Sequence, residues 1–269
     1  MRQLVIGVGL LMAFLLSSCS TSEKGTVAPS RTASEENLEI RGHQLYATGQ
    51  YDSAAVVLQR LLKKDPANKT ALRDLGSWHY DLAMLDKDEK SPSRLEHLRT
   101  SRRMFSDLEN QGEHEIDLLD RLCEISIALG DNKGFLTYAK MSAERYPYDR
   151  QYHNLGLAYF NVGDYQSAIK IEKEAIGKFR ESAYLSSYYR QLGRAYMKVD
   201  RDQTAQRTFE DGVKIADLRL QGRTSPDDLH RLMDDKAAML LSLKHLYQTY
   251  HQDDKLKEVE RQLLEAGNR

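Results

Sequence analysis

Apolar residues recur at helical spacing along most of this chain, from Glu35 towards the C-terminus. Alternating apolar and polar runs, which predict β-strands, are almost absent. The five prolines fall at the boundaries of the apolar patterns instead of inside them. The pattern therefore predicts an all-α protein built from consecutive amphipathic helices.

The N-terminus has the pattern of an export signal. Arg2 precedes an apolar segment of thirteen residues, Leu4 to Leu16, whereas a membrane-spanning helix needs about twenty. The residues Leu16-Ser17-Ser18-Cys19 then resemble the bacterial lipobox, in which a peptidase cleaves before a cysteine that carries lipid. This resemblance implies a lipoprotein signal peptide at residues 1–18 and a lipidated N-terminus at Cys19. The alternative is an ordinary cleavable signal followed by a chance cysteine.

The residues after Cys19 suggest where the protein is anchored. Ser20 stands where an aspartate would favour retention in the inner membrane, so the resemblance implies a lipid anchor in the bacterial outer membrane, on its periplasmic face. Residues 20–34 contain seven Ser or Thr among fifteen and show no apolar periodicity. We expect residues 19–34 to form a flexible tether between the lipid and the folded part.

One helical unit carries the clearest motif. In residues 151–176, Leu155-Gly156 is followed by Tyr159, then by Gly163-Asp164-Tyr165, and then by Ala168 and Ala175. This set resembles the tetratricopeptide repeat (TPR), in which small residues mark the crossing of two helices and a glycine ends the first helix. The same slots are filled in other parts of the chain, by Gly42, Gly49, Tyr51, Ala54, Leu58 and Pro66 in residues 35–68, by Leu192-Gly193, Tyr196, Ala205 and Phe209 in residues 186–219, and by Leu122, Cys123, Gly130 and Pro147 in residues 116–148.

The recurrence predicts a TPR helix-turn-helix solenoid of about five to six repeats over residues 35–269, some of them degenerate. The unit at 69–109 carries an insertion near residues 86–94, and if Phe105 is its second-helix aromatic, about thirteen residues separate the paired helices beyond the usual spacing. Residues 86–94 would form an extended loop, longer helix ends or a loop that binds a partner. Ser225-Pro226 starts a pair of helices, 226–266, that would cap the array.

Composition excludes several function classes. The net charge of −1 shows no bias towards nucleic acid. The eight histidines have no metal-ligand spacing, and no nucleophile or paired-carboxylate constellation is present, so we expect no enzyme activity, no metal and no cofactor. Cys123 fills a small-residue slot, which predicts a buried structural thiol, and a lipidated Cys19 would leave it without a disulfide partner.

Within the TPR resemblance, the first helix of each repeat lines a concave groove. Mapping the groove positions onto this sequence predicts a peptide-binding groove that contains Arg150, His153, Asn154, Phe160, Arg190, Gln191, Arg194 and Lys198. The same positions include Leu157, Asn161, Ser187 and Met197. Four cations beside amides suit an acidic peptide or a C-terminal carboxylate.

The preceding repeat places acidic residues at the comparable positions. These include Asp117, Asp120 and Glu124, so the groove is predicted to change sign along its length and to impose a direction on a bound segment. The alternative is that all these side chains are the polar face that any soluble helix has.

The sequence therefore predicts a membrane-anchored TPR scaffold or adaptor that binds other cell-envelope proteins through its groove. Three groups of lipoproteins with this architecture give specific versions: pilotins, the repeat component of the β-barrel assembly machinery, and adaptors that bring peptidoglycan hydrolases to a protease. The residues do not choose among them. A small-ligand-binding lipoprotein that serves a transporter is the alternative, and it would need a closed apolar pocket.

Overall fold

The computed structural model describes residues 32–222 and 225–267. The predicted signal peptide, Cys19 and most of the predicted tether lie outside these residues. Within them the chain forms helices and no strands. The helices are α1 (Ala33–Ala47), α2 (Tyr51–Lys64), α3 (Lys69–Leu85), α4 (Pro92–Asn110), α5 (Ile116–Ala128), α6 (Asn132–Arg145), α7 (Asp149–Asn161), α8 (Tyr165–Lys178), α9 (Leu185–Met197), α10 (Asp202–Leu220), α11 (Pro226–Thr249) and α12 (Asp253–Gly267).

The helices pack as successive hairpins. Each odd-numbered helix packs against the next helix in the chain, and each even-numbered helix then packs against the first helix of the following hairpin. First helices also contact one another directly, as α1 does with α3, α7 with α9, and α9 with α11. Because the first helices approach each other in this way, they lie on the inner side of the array. The predicted all-α solenoid is confirmed.

Local sequence explains where the helices begin and end. Thr32 and Glu35 form a reciprocal capping box at the start of α1. Asp164 caps α8, and Ser225 caps α11 with proline following it. Gly163, between α7 and α8, has a φ of 82°, in the left-handed region that glycine adopts without strain. At the corresponding turn after α9, Asp200 has a φ of 57°, so an aspartate takes the same conformation there.

Each hairpin is held together by a close crossing of its two helices. A Cβ atom at Gly42 would overlap Leu58, one at Gly76 would lie 2.7 Å from Phe105, and one at Gly193 would overlap Phe209. The opposing side chains are fully or almost fully buried. The crossing therefore depends on a small residue in the first helix and a large apolar residue in the second.

Residues 86–94, the predicted insertion, span a short connection and the first turn of α4. The flanking helices are longer than most of the others, with 17 residues in α3 and 19 in α4. The Nδ1 atoms of His79 and His97 lie 2.9 Å apart and link the two helices. Burial, and after it the nearby His97, lowers the pKa of His79 to about 4, so this ring is neutral at pH 7. Phe105 packs on Gly76, in the register that the sequence predicts for a second-helix aromatic.

Cys123 is buried in the crossing between α5 and α6. Burial, with the nearby carboxylates of Asp120 and Glu124, raises the pKa of its thiol to about 12. Since the thiolate is the reactive form, Cys123 is a structural residue in this environment.

The hairpin of α7 and α8 departs from the pattern. At the position of Leu58 and Phe209 in their hairpins, α8 has Glu172, whose carboxyl lies against Gly156. Glu172 is 0% exposed, and neither carboxyl oxygen has a hydrogen-bond partner. Burial raises its pKa well above 4.5. An uncompensated buried carboxyl costs stability, so this hairpin is less stable than an apolar residue would make it.

No helix among the described residues is long and apolar enough to cross a membrane.

We predict that Gly193→Ala destabilises the protein by about 1–3 kcal/mol, because the new methyl group must displace the buried ring of Phe209. The matched control is Gly177→Ala, in α8, where a Cβ meets no atom within 4 Å. That change should stabilise the helix by about 0.5–1 kcal/mol. Urea unfolding followed by circular dichroism measures both. Equal effects of the two changes would show that the crossing does not need a glycine.

We predict that Glu172→Leu raises the free energy of unfolding by about 1–3 kcal/mol, since it replaces an unpaired buried carboxyl with the residue type found at Leu58. The folded chain holds the proton of Glu172 more tightly than the unfolded chain, so wild-type stability falls as pH rises above about 4.5. The gain should therefore be larger at high pH than at low pH. Lys173→Leu, at an exposed neighbour, is the control and should change stability by less than about 0.5 kcal/mol. A stability loss in Glu172→Leu would contradict the prediction.

Candidate functional site

The candidate site is the inner surface formed by α5, α7, α9 and α11. All eight predicted groove residues belong to α7 and α9, with Lys198 directly following α9. Asn154 is half-buried on α7. The structure separates the other predicted residues into two groups, those bonded within the protein and those that face an open cavity.

Arg150 belongs to the first group. Its guanidinium lies 3.0 Å from Oε1 of Glu124 and 3.4 Å from Oδ2 of Asp120, both on α5. Asp120 also accepts a hydrogen bond from Gln151, at 3.2 Å. The acidic and basic patches predicted for neighbouring repeats are therefore partners of one another. They tie α7 to α5 and leave little net charge at this point of the groove.

His153 and Gln191 are hydrogen-bonded across the groove floor. Nε2 of Gln191 donates to Nδ1 of His153, at 2.9 Å. The His153 ring also packs on Tyr184, with ring centres 5.0 Å apart. Burial, followed by the charges of Arg190, Arg231 and Arg150, lowers the pKa of His153 to about 3. His153 is thus a neutral part of the floor and not a cation for a ligand.

Arg190 is held by a buried carboxylate. Its Nε lies 3.0 Å from Oδ1 of Asp235, which is 1% exposed on α11. The other oxygen of Asp235 accepts hydrogen bonds from the hydroxyls of Ser186 and Ser187. Ser187 and Arg190, both predicted to face the groove, are therefore part of the contact between α9 and α11.

Arg194 and Lys198 form the second group. With Phe160, Asn161, Tyr165 and Met197 they line a cavity of about 580 Å³ at the C-terminal ends of α7 and α9. The guanidinium carbon of Arg194 lies 4.5 Å from the centre of the Phe160 ring, a cation–π contact. In the part of the chain that the structure describes, neither cation forms an ion pair. This end of the groove therefore carries two cationic side chains without an acidic partner.

Sequence reasoning missed Tyr184, Arg231 and Asp235. Arg231 lies with its guanidinium carbon 4.3 Å from the centre of the Tyr184 ring and pairs with Asp228. Tyr184 precedes α9 by one residue, and the helix that carries Arg231 and Asp235 lacks the Leu-Gly and Tyr signature that marks the other first helices. The only available signal was the polar residues inside the apolar stripe of α11.

A separate, mostly apolar cavity of about 510 Å³ lies among α10, α11 and α12. Its lining includes Leu220, Leu229, Met233 and Ala237 together with charged residues. The predicted small-ligand alternative would have its site here. No cluster of three potential metal ligands occurs among residues 32–222 and 225–267.

Comparisons with known proteins agree with this architecture. The tetratricopeptide repeat family matches residues 150–177, which are α7 and α8. No curated protein matches the chain. A crystal structure of MamA is 16% identical, covers 71% of this chain and 97% of its own, and superposes with a TM-score of 0.54.

Two further structures give the same result. A MamA structure from AMB-1 is 15% identical over 72% of this chain and 96% of its own, with a TM-score of 0.52. YrrB, a TPR protein with an unusual peptide-binding site, is 15% identical over 66% of this chain and 84% of its own, with a TM-score of 0.54. At these identities the likeness concerns the fold. The chain thus contains a tetratricopeptide repeat and folds as a tetratricopeptide-repeat solenoid.

Proposed function

We propose that this protein is a membrane-anchored scaffold that binds an acidic segment of another cell-envelope protein in its concave groove. The observation that carries the proposal is the division of the groove cations. Arg150 and Arg190 are paired with Asp120, Glu124 and Asp235, whereas Arg194 and Lys198 have no such partner among the described residues. An acidic side chain or a C-terminal carboxylate of a partner would supply the missing charge.

The cavity suits a carboxylate that belongs to a peptide. Burial, and after it the charge of Arg190, lowers the pKa of Arg194, which indicates that no carboxylate of this chain offsets its charge. The guanidinium lies over Phe160, and this contact limits the orientations of its donors. Lys198 and the amide of Asn161 line the same cavity. Two cations and an amide around an aromatic ring can hold a carboxylate together with the apolar stem that carries it.

The groove beyond this end would position the remainder of the segment. His153, Gln191 and the Arg150 pair are fixed by contacts within the protein, so this part of the floor is preorganised. A rigid floor reduces the ordering cost of binding. YrrB is described as having a peptide-binding site, and its similar fold supports a peptide ligand for this chain.

Lipidation of Cys19 would add a second contribution. A short flexible tether keeps the solenoid close to the membrane and raises its effective concentration for partners in the same membrane. A scaffold of this kind serves assembly or regulation of an envelope complex without chemistry of its own, in agreement with the absence of a catalytic constellation in the sequence.

We predict that the double change Arg194→Glu and Lys198→Glu weakens partner binding by about tenfold or more, because an acidic segment would then meet two like charges. The protein is cross-linked in membranes and isolated, and the co-purifying proteins are quantified by mass spectrometry. The control is Lys170→Glu with Lys173→Glu, which makes the same charge change at exposed positions of α8. A partner retained by both variants would place binding outside this end of the groove.

We predict that Cys19→Ala moves the protein from the membrane fraction to the soluble fraction or blocks cleavage after Ser18. Cys123→Ala, at the other cysteine of the chain, should leave the anchor unchanged. Membrane fractionation and mass spectrometry of the N-terminal peptide measure both. An unmodified N-terminal peptide in the wild type would exclude the lipid anchor while leaving the groove proposal open to its own test.

A further inference from the structure

Two buried carboxyl groups lie on opposite sides of one guanidinium. Asp235, on α11, is 1% exposed and lies 3.0 Å from Nε of Arg190, on α9. Glu172, on α8, is 0% exposed, and Arg190 is the charged group that acts on its carboxyl. Three consecutive elements of the solenoid therefore meet at this single cation.

The partners of the two carboxyls are very different. Asp235 accepts hydrogen bonds from the hydroxyls of Ser186 and Ser187 in addition to its ion pair. Neither oxygen of Glu172 has a partner. Nε of Arg190 is itself buried without a well-aligned hydrogen bond, although it is within ion-pair distance of Asp235. Arg190 is thus committed to Asp235 by charge but is not fully satisfied there.

Charge balance determines the protonation of Glu172. Two buried carboxylates beside one guanidinium would leave an uncompensated negative charge in the interior, which is costly. With Asp235 ionised and paired, the cluster is neutral when Glu172 carries a proton. Burial raises the pKa of Glu172 in agreement with this assignment.

We propose that Arg190 is a proton-controlled latch for the hairpin of α11 and α12. While Glu172 is protonated, Arg190 pairs with Asp235 and holds α11 against α9. When α11 moves away, Arg190 is released and can pair with Glu172, which then ionises. Undocking of the last hairpin therefore releases one proton, and it becomes more favourable as pH rises. The latch does not depend on the proposed function of the groove.

The other groups around the cluster keep their charge over the neutral and mildly alkaline range. His153 and Arg150 contribute from α7, with Asp149 at its first residue, Tyr188 and Arg194 from α9, and Arg231 from α11. Burial lowers the pKa of His153 to about 3, so its ring is neutral. Burial raises the pKa of Tyr188, so its phenol also stays neutral. Glu172 is the group in this cluster whose ionisation can couple to the position of α11.

The latch also explains the presence of a glutamate in this position. Sibling hairpins use Leu58, Phe105 and Phe209 to close the helix crossing. An apolar residue would close the crossing of α7 and α8 as well, but it would leave Arg190 with one partner and no alternative. The stability lost to Glu172 supplies the second position of the latch.

Hydrogen exchange with mass spectrometry on the full-length protein tests the latch between about pH 6 and pH 9, after correction for the intrinsic pH dependence of exchange. In the wild type, protection of α11 should fall relative to that of α1 and α2, by up to about tenfold for each pH unit. In Glu172→Gln and Glu172→Leu, the relative protection of α11 should not change with pH. Asp235→Asn should lower the protection of α11 throughout the range.

The variants separate a latch from a merely structural role. If Glu172 only affects packing, Glu172→Gln changes protection equally at every pH, and this result would overturn the proposal. Wild-type protection of α11 that is independent of pH would overturn it as well. Unchanged protection in Asp235→Asn would show that the buried carboxylate does not hold α11. The experiment needs no partner, so it is independent of whether the groove binds an acidic segment.

Discussion

The structure depends on the close approach of two helices at one point in each hairpin. Gly42, Gly76 and Gly193 leave no room for a Cβ because a large side chain from the second helix occupies that space. Such a contact determines the register of the two helices, since a shift of one residue would bring a Cβ into the contact. Once the register is determined, each hairpin presents nearly the same surfaces to the next, and stacking produces an array with the first helices inside.

The inner surface of the array is largely satisfied by its own residues. Arg150 bonds to the acidic residues of α5, Arg190 bonds to Asp235, and Gln191 bonds to His153. These contacts link first helices that share only small areas of apolar packing. They also remove most of the charge that the helices would offer to a ligand. The cations that remain, Arg194 and Lys198, are at the helix ends, where no acidic residue of a neighbouring helix lies within ion-pair distance among the described residues.

The hairpin of α7 and α8 combines the clearest repeat signature with the least favourable buried residue. Glu172 takes the place of an aliphatic or aromatic side chain, and its carboxyl has no hydrogen-bond partner. Neighbouring α9 carries the guanidinium that faces it, and α11 carries the competing carboxylate. Buried ionisable groups of this kind usually cost stability. Their arrangement links the protonation of one repeat to the packing of the next.

The sequence by itself determined the helical class, the hairpin repeat and most of the small residues at the crossings. These features depend on contacts between residues about sixteen positions apart, as in the pair Gly193 and Phe209, so a local pattern records them. It also determined that Cys123 is a buried thiol, because its slot in the repeat is a packing position. The tertiary structure decided which groove cations are free. Pairing of Arg190 with Asp235 joins residues in different hairpins, and no local pattern encodes which polar residues of separate helices meet. The burial of Glu172 has the same origin, since only the packing of α8 between α7 and α9 removes its carboxyl from water.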